Sequence, residues 1–234
     1  MNVNGKHIIV TGASLGIGRE TAKNLIEKGA KVLVTGRSQE RLDKAFHDIE
    51  CQTIAFDIGD TSNIENNAKK CMDLLDGKVD VLVNNAGTGV RKTIEELSIE
   101  SFMKVFNVNV FGLALFTKEI VPAMKNNNGG TIINIGSTAS LKGYPTGSVY
   151  ASSKFALRCL TQCWQAELRP HNIRVCQINP SEVTTAFGNE DRIERDEVHN
   201  KLTSKEISHA ITSAIEMDDR GFINELNVWA TNPF

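Results

Sequence analysis

The sequence lacks an excess of charge of either sign, with 26 lysines and arginines, 28 aspartates and glutamates and a net charge of −2. This balance gives no electrostatic reason to expect binding to nucleic acid or to an anionic membrane surface. The sequence also lacks a signal peptide and any apolar run approaching the length of a membrane span. We therefore expect a cytoplasmic protein with neither a nucleic-acid nor a membrane partner.

Cysteine is scarce, and its spacing follows no ligand pattern. The five cysteines include no CxxC pair, and Cys159 and Cys163, at i, i+4 spacing, have no histidine pair to accompany them. Zinc sites need several such ligands together. An odd number of cysteines without a signal peptide favours a reducing environment. We therefore predict free thiols and no metal site.

Short, continuous apolar runs alternate with longer helical patterns along the chain. Continuous runs are typical of strands buried on both faces. Their alternation with helices predicts an α/β fold, a doubly wound parallel sheet between two helical layers, in one domain spanning residues 1–234. The predicted strands are His7–Thr11, Lys31–Thr35, Gln52–Phe56, Val79–Val83, Thr131–Ile135, Arg174–Ile178 and Glu225–Trp229. The predicted helices are Ile17–Lys28, Gln39–Phe46, Ile64–Leu75, Ser101–Met124, Val149–Arg169 and Lys205–Ile215.

Two segments fit neither pattern. Residues 187–203 are polar and charged without a clear period, which suits either a mobile lid over a substrate pocket or an ordinary exposed loop. The chain ends in a tail that begins at Trp229. That tail either closes the pocket of its own or a neighbouring subunit, or lies on the surface.

A glycine-rich segment, TGASLGIG, joins the first predicted strand to the first predicted helix. Glycine is needed where the backbone turns sharply or approaches a phosphate closely. The helix that follows points unpaired N–H groups at the anion. This position therefore indicates a nucleotide phosphate site. Its predicted residues are Gly12, Ser14, Leu15, Gly16, Ile17 and Gly18.

A YxxxK pair, Tyr150 and Lys154, stands at the start of a long predicted helix. The i, i+4 spacing places both side chains on one helix face. A phenol with its ordinary pKa near 10 is a poor acid or base at neutral pH, and a nearby ammonium lowers that pKa. The pair therefore predicts an acid/base site with a lowered phenol pKa.

Taken together, the glycine segment, the NNAG sequence at 84–87 and the YxxxK pair resemble the classical short-chain dehydrogenase/reductase family. The resemblance covers nearly the whole chain. It implies a single Rossmann domain, commonly tetrameric, that uses a nicotinamide cofactor to interconvert a ketone and a secondary alcohol. It also implies that Ser137, with Thr138 as its nearest rival, hydrogen-bonds the substrate carbonyl. Asn109 would hold a water in a proton relay from Lys154.

The resemblance extends to the cofactor. Asp57, followed by Ile58, matches the family's adenine-contacting aspartate. The second predicted strand ends without the carboxylate that accepts hydrogen bonds from an NAD ribose. Arg37 and Ser38 suit a 2′-phosphate instead, so we predict NADP(H). The other predicted cofactor residues are Asn85, Ala86, Gly87, Tyr150, Lys154, Pro180, Val183 and Thr185. Ser181 replaces a family glycine, and a positive φ there would strain the loop.

These motifs do not specify the substrate beyond a small-molecule carbonyl compound. The chain is most similar to 3-oxoacyl-(acyl carrier protein) reductases, which implies an acyl thioester. The basic residues that such reductases carry for an acidic carrier protein are replaced by Asn126–Asn128 and His171. A broad carbonyl reductase, a sugar or polyol dehydrogenase, and a non-catalytic NADP-binding redox sensor or scaffold are the alternatives. Apolar faces on the two long helices favour a homo-oligomer, a dimer or tetramer, by family analogy.

Overall fold

The structure is a computed structural model that describes residues 1–188 and 193–233. Its strands form one parallel sheet with helices on both faces, so the predicted α/β fold is confirmed. The strands are β1 His7–Val10, β2 Lys31–Gly36, β3 Gln52–Ala55, β4 Val81–Asn84, β5 Gly130–Ile135, β6 Ile173–Pro180 and β7 Glu225–Val228. The helices are α1 Gly16–Glu27, α2 Gln39–Ala45, α3 Ile64–Leu74, α4 Ile99–Phe106, α5 Leu113–Asn126, α6 Ser148–Leu168 and α7 Ser204–Glu216.

The strand order places a crevice at the middle of the sheet. The order is β3-β2-β1-β4-β5-β6-β7, so the chain builds outward from β1 on one side and from β4 on the other. In open α/β sheets, ligands bind at the carboxyl ends of the strands where the order reverses. The loops that follow β1 and β4 therefore frame the expected binding site.

Side chains along the inner strands of the sheet alternate between two apolar cores, one on each face. Ile8 and Val10 belong to the core that includes residues of α1, α2 and α7. Ile9 belongs to the core that includes residues of α3, α5 and α6. Apolar side chains cover both faces of the sheet, and this explains why the inner strands appear in the sequence as continuous apolar runs.

The long helix predicted at Ser101–Met124 is interrupted. Between α4 and α5 the segment Asn107–Gly112 is π-helical. A Cβ atom at Gly112 would overlap the carbonyl oxygen of Ile58, so only glycine allows this close approach to the loop after β3. Single π-helical turns inside α-helices are frequent at functional sites.

By length and hydropathy alone, the continuous helical span 99–126 qualifies as a candidate membrane span. The expectation that no apolar stretch reaches that length is therefore wrong. Phe116, Ile120 and Met124 are fully buried on the side that packs in the core. Core helices of soluble proteins meet the same criterion.

Candidate active site

The carboxyl ends of the central strands open onto one cleft of about 1660 Å³. The predicted cofactor and catalytic residues line this cleft, with the exceptions of Gly18 and Asn109, which are buried behind its wall. The structure therefore brings together residues from the carboxyl ends of six strands and from the start of α6, although they are far apart in sequence.

The glycine segment is shaped by contacts with the loop that follows β4. Gly12 has a φ of +67°, and a Cβ atom there would lie 2.7 Å from the Cα of Ala86. A Cβ atom at Gly18 would overlap the side-chain amide of Asn85. That amide donates hydrogen bonds to the carbonyl oxygens of Thr11, at 2.9 Å, and Gly12, at 3.0 Å. These two glycines therefore allow the two loops to pack together.

The N-terminus of α1 holds an anionic group. The Gly16 N–H donates to a carboxylate oxygen of Glu194 at 3.1 Å. Arg19 Nη2 donates to both oxygens of the same carboxylate, at 2.9 and 2.8 Å. A carboxylate thus occupies the place where a helix N-terminus favours an anion. Sequence reasoning missed Glu194 because it lies in the aperiodic segment 187–203, of which residues 189–192 are outside the described part of the chain.

The carboxyl end of β2 is cationic. Arg37 is exposed next to Gly36, and Arg41, which sequence reasoning missed, also lines the cleft. Ser38 caps α2, as predicted, because its hydroxyl oxygen accepts from the Arg41 N–H at 3.3 Å. The cap therefore fixes the first turn of α2 and keeps Arg41 beside Ser38. Across the cleft, Asp57 accepts from the Gly59 N–H at 2.8 Å.

Tyr150 and Lys154 extend from the first turns of α6 into the opposite end of the cleft. The Lys154 Nζ lies 5.8 Å from the centroid of the Tyr150 ring and donates to the Ile135 carbonyl at 2.8 Å. Burial lowers the pKa of Lys154 to about 8. Burial also raises the pKa of Tyr150, against a smaller lowering by the Ser137 hydroxyl. The predicted lowering of this phenol's pKa is therefore wrong, because desolvation outweighs nearby polar groups.

Ser137 rather than Thr138 is the hydroxyl that interacts with Tyr150. Its backbone N–H donates to Asn179 Oδ1 at 3.2 Å. Asn179 Nδ2 in turn donates to Glu225 Oε1 at 2.8 Å, and Glu225 Oε2 accepts from Arg158 at 3.0 Å. A chain of hydrogen bonds across β6 and β7 thus holds Ser137 in place. The role of Asn179 in this chain could not be predicted from the sequence, because its partners are far from it along the chain.

Asn109 clamps the loop after β4 against α6. Its Oδ1 accepts from the Thr88 N–H at 2.9 Å, while its Nδ2 donates to the Thr88 carbonyl at 2.8 Å and to Ser153 Oγ at 3.0 Å. Both N–H groups of the side chain are thereby used, so neither is available to the water expected there. The clamp lies beside Lys154, since a Cβ atom at Gly87 would lie 3.5 Å from Asn109 Oδ1 and 3.8 Å from Lys154 Nζ.

The loop after β6 carries Pro180, Val183 and Thr185 into the cleft wall. Ser181 is outside the left-handed region, and its N–H donates to the Val228 carbonyl at 2.8 Å, so the strain considered for a serine here does not arise. Arg195 donates to the carbonyl oxygens of Thr185, at 3.0 Å, and Val183, at 2.8 Å. These bonds tie the described part of segment 187–203 to the loop.

Aromatic side chains line the cleft around Tyr150. The Phe187 ring centroid lies 5.5 Å from that of Tyr150, and Tyr144 and Trp229 also line the cleft. A Cβ atom at Gly89 would lie 3.0 Å from the Tyr150 ring, so the backbone of the loop after β4 packs closely against this ring. Sequence reasoning missed Phe187 and Tyr144 as cleft residues, whereas Trp229 lies in the tail that it singled out.

Comparisons with known proteins agree with this geometry. The sequence profile described as short chain dehydrogenase matches residues 6–196. An uncharacterized oxidoreductase from Thermotoga maritima is 36% identical over 240 residues, which cover 95% of this chain and 94% of the relative. An alcohol dehydrogenase from the archaeon Thermococcus sibiricus, solved in complex with 5-hydroxy-NADP, has a TM-score of 0.89 at 29% identity, with 97% of each chain covered.

A 3-ketoacyl-(acyl-carrier-protein) reductase from Brucella melitensis, solved in complex with NADH, is similar to the same extent. Its TM-score is 0.87 at 26% identity, and the match covers 99% of this chain and 100% of that one. The profile match spans most of the sequence, and Ser137, Tyr150 and Lys154 meet in one cleft at the switch point of a parallel sheet. The chain therefore belongs to the short-chain dehydrogenase family of oxidoreductases.

Proposed function

We propose that this chain is an NADP(H)-dependent oxidoreductase that interconverts a ketone and a secondary alcohol, with Tyr150 as the proton donor. One observation carries the proposal: the Tyr150 phenol shares a cleft with the Ser137 hydroxyl at one end and with an anion-binding helix N-terminus at the other. This arrangement supports a carbonyl substrate at the tyrosine and a dinucleotide along the rest of the cleft.

The residues present fit a dinucleotide. The Glu194 carboxylate occupies the place that a phosphate would take at the Gly16 N–H. Its presence shows that this N–H can donate a hydrogen bond to an anionic group. Arg37 and Arg41 would meet a 2′-phosphate at the end of β2, where the cleft presents no carboxylate to a ribose. Asp57 would meet the adenine half, and Gly87 leaves room for the cofactor beside Lys154. The NADP complex of the archaeal alcohol dehydrogenase is consistent with this preference.

The chemistry divides between cofactor and protein. A bound nicotinamide supplies the hydride for reduction, or accepts it for oxidation. Ser137 donates a hydrogen bond to the carbonyl oxygen and stabilises the negative charge that develops there. Tyr150 gives its proton to that oxygen, which becomes the hydroxyl group. The raised phenol pKa means that Tyr150 carries this proton at neutral pH, as a proton donor must. The buried Lys154 ammonium lies close enough to stabilise the phenolate that remains.

The substrate of this proposal is a ketone, and a short 3-oxoacyl thioester is the first candidate. That choice rests on the similarity to a 3-ketoacyl-(acyl-carrier-protein) reductase. A broad carbonyl reductase would use the same side chains. The two differ only in which ketones are reduced efficiently, so a panel of substrates decides between them.

The test follows NADPH oxidation with a panel of ketones that includes a short 3-oxoacyl thioester. We expect turnover, a preference for NADPH over NADH, and a loss of about a hundredfold or more in kcat/KM for Tyr150→Phe. Arg37→Gln should remove most of the NADPH preference, whereas Arg220→Gln, at an exposed arginine outside the cleft, should keep it. Cofactor binding without turnover of any ketone would reject the oxidoreductase function, and a preference for NADH would reject the role of Arg37.

A further inference from the structure

The catalytic end of the cleft has a cationic wall, which we define as Arg91, Lys92 and Lys142. All three side chains belong to residues that line the cleft. Arg91 and Lys92 lie on the loop after β4, and Lys142 lies on the loop after β5. The Lys92 N–H donates to the Thr146 carbonyl at 3.0 Å, so the two loops are joined into one surface.

Tyr144 lies between the cationic wall and Tyr150 in the chain of electrostatic contacts. Burial raises the pKa of Tyr144, and the charge of Arg91 lowers it. Tyr144 in turn contributes to the raised pKa of Tyr150. Its ring packs against the start of α6, because a Cβ atom at Gly147 would lie 2.7 Å from the Tyr144 ring. Arg91 is therefore close enough to Tyr144, and Tyr144 close enough to Tyr150, for their charges to interact.

The charge of the wall is not balanced by the cleft itself. Within the described residues, Arg91 and Lys142 form no ion pair, whereas the charge of Lys92 acts on the Glu96 carboxylate, which lies outside the cleft. The carboxylates that line the cleft are Asp57 and Glu182. Asp57 lies at the adenine end and accepts from Gly59. Glu182 already pairs with Lys201 at 2.7 Å and with Arg195 at 3.5 Å.

The backbone of the wall is strained where its two loops meet. Thr146 has a φ of +63°, a left-handed conformation that a β-branched residue rarely adopts. Such strain persists where the surrounding structure imposes it, and it is concentrated at ligand sites. Here the strained residue provides the carbonyl that receives the Lys92 N–H and so fixes the spacing of the cations.

We propose that the cationic wall is a subsite for an anionic group of the substrate, a carboxylate or a phosphate, so that the enzyme prefers anionic oxo compounds over neutral ketones. This inference rests on the proposed function and names the substrate class of that site. A guanidinium offers paired donors to either oxyanion, and an ammonium beside it adds charge. The phosphates of the cofactor would be held at the other end of the cleft, which Gly16, Arg37 and Arg41 line.

The test compares two matched pairs of probes with the full-length protein and NADPH. The carboxylate pair is 3-oxobutanoate and its methyl ester. The phosphate pair is 3-oxobutanoyl-coenzyme A and 3-oxobutanoyl-N-acetylcysteamine, which shares the thioester but lacks phosphate. We expect kcat/KM to be roughly tenfold or more higher for the anion of at least one pair, because a hydrogen bond to a charged group contributes that much. The pair that shows the preference identifies the source of the anion.

Variants then link the preference to the wall. Arg91→Gln and Lys142→Gln should each reduce the anion-to-neutral ratio of kcat/KM several-fold, while the control Arg220→Gln should keep the wild-type ratio. With the wild-type protein, raising the salt concentration should raise KM for the preferred anion more than for its neutral partner, because salt screens exposed charges. This measurement does not depend on how the variants fold.

Two outcomes overturn the proposal in distinguishable ways. Turnover of all four probes with equal kcat/KM for anion and neutral partner would reject the subsite and leave the oxidoreductase function standing. An anion preference that survives both wall variants would also reject it. No turnover with these probes or with any ketone of the wider panel would reject the proposed function, and the subsite would fall with it.

Discussion

At the scale of single residues, burial sets the protonation of the catalytic pair. It raises the pKa of the Tyr150 phenol and lowers that of the Lys154 ammonium, so it favours the neutral form of both groups. Lys154 keeps a hydrogen bond to the Ile135 carbonyl, which either form of the amine can donate. Because burial lowers the pKa of Lys154 in the folded chain, this lysine makes the free energy of unfolding depend on pH, which an exposed lysine does not.

We predict that the free energy of unfolding attributable to Lys154 increases with pH. Its pKa is about 8 in the folded chain and near its ordinary value of 10.5 in the unfolded chain. Between these values the unfolded chain binds more protons, so the folded state gains stability as pH rises. From pH 7.5 to 9.5 the stability of the wild type relative to Lys154→Met should grow by about 2 kcal/mol. Urea unfolding of both proteins at the two pH values measures the change.

Lys118→Met provides the control, since Lys118 is an exposed lysine beside Glu119. It should show no comparable increase over the same range of pH. A difference between wild type and Lys154→Met that is equal at both pH values would contradict the lowered pKa of Lys154.

At the scale of elements, the sheet was predictable because its strands are buried on both faces and read as unbroken apolar runs. The glycine segment and the YxxxK pair were predictable because each is local in sequence. The π-helical segment was not, since it depends on the approach of Gly112 to Ile58 rather than on a change of period. The raised pKa of Tyr150 likewise depends on burial that only the folded chain creates.

The loop after β5 yields a stability prediction at Thr146. Asparagine tolerates the left-handed conformation better than a β-branched residue does. Thr146→Asn should therefore raise the free energy of unfolding by roughly 0.5–1 kcal/mol. The bond from the Lys92 N–H is kept, because it ends on a backbone carbonyl. Urea unfolding is the measurement, and Thr146→Ala, which lacks the short polar side chain that lets asparagine hydrogen-bond locally in this conformation, should gain less. A destabilised Asn variant would show that the threonine side chain itself holds the loop.

The segment that follows residue 192 yields a binding prediction. The Glu194 carboxylate uses the Gly16 N–H that a cofactor phosphate would also use, so the two compete. Glu194→Gln weakens this internal contact and its pair with Arg19, and should tighten NADPH binding roughly three- to tenfold. Titration calorimetry measures the dissociation constant. Glu197→Gln, at an exposed carboxylate of the same segment, should leave it unchanged. Weaker binding by Glu194→Gln would show that the carboxylate assists the cofactor instead.

At the scale of the whole molecule, apolar side chains remain exposed along one side. Met103, Phe111, Leu115 and Phe155 are each more than a third exposed, and α6 packs beside α4 and the π-helical segment, so they share a surface. Exposed apolar patches mark interaction sites. We propose that a second copy of the chain covers this surface, in line with the oligomer expected from the sequence.

Light scattering after gel filtration should give a mass of two or more chains for the wild type. Phe111→Glu and Phe155→Glu should each lower that mass, because a charge at the centre of an apolar interface is costly to bury. Leu74→Glu, at an exposed apolar residue on α3, is the matched control and should keep the wild-type mass. A wild-type monomer that sediments with lipid vesicles would assign the surface to a membrane instead.

Gly112 connects this apolar surface to the cofactor cleft. Its backbone lies directly against the Ile58 carbonyl, and a Cβ atom at Gly59 would lie 2.9 Å from the Val108 side chain, so the π-helical segment packs directly on the loop beside Asp57. If association of two chains shifted this helical segment, the loop beside Asp57 would therefore have to move with it. Linkage makes such an effect reciprocal: cofactor that tightens the assembly must itself bind more tightly to the assembled form. With association and cofactor binding coupled through the close contact at Gly112, the affinity for cofactor would rise with protein concentration.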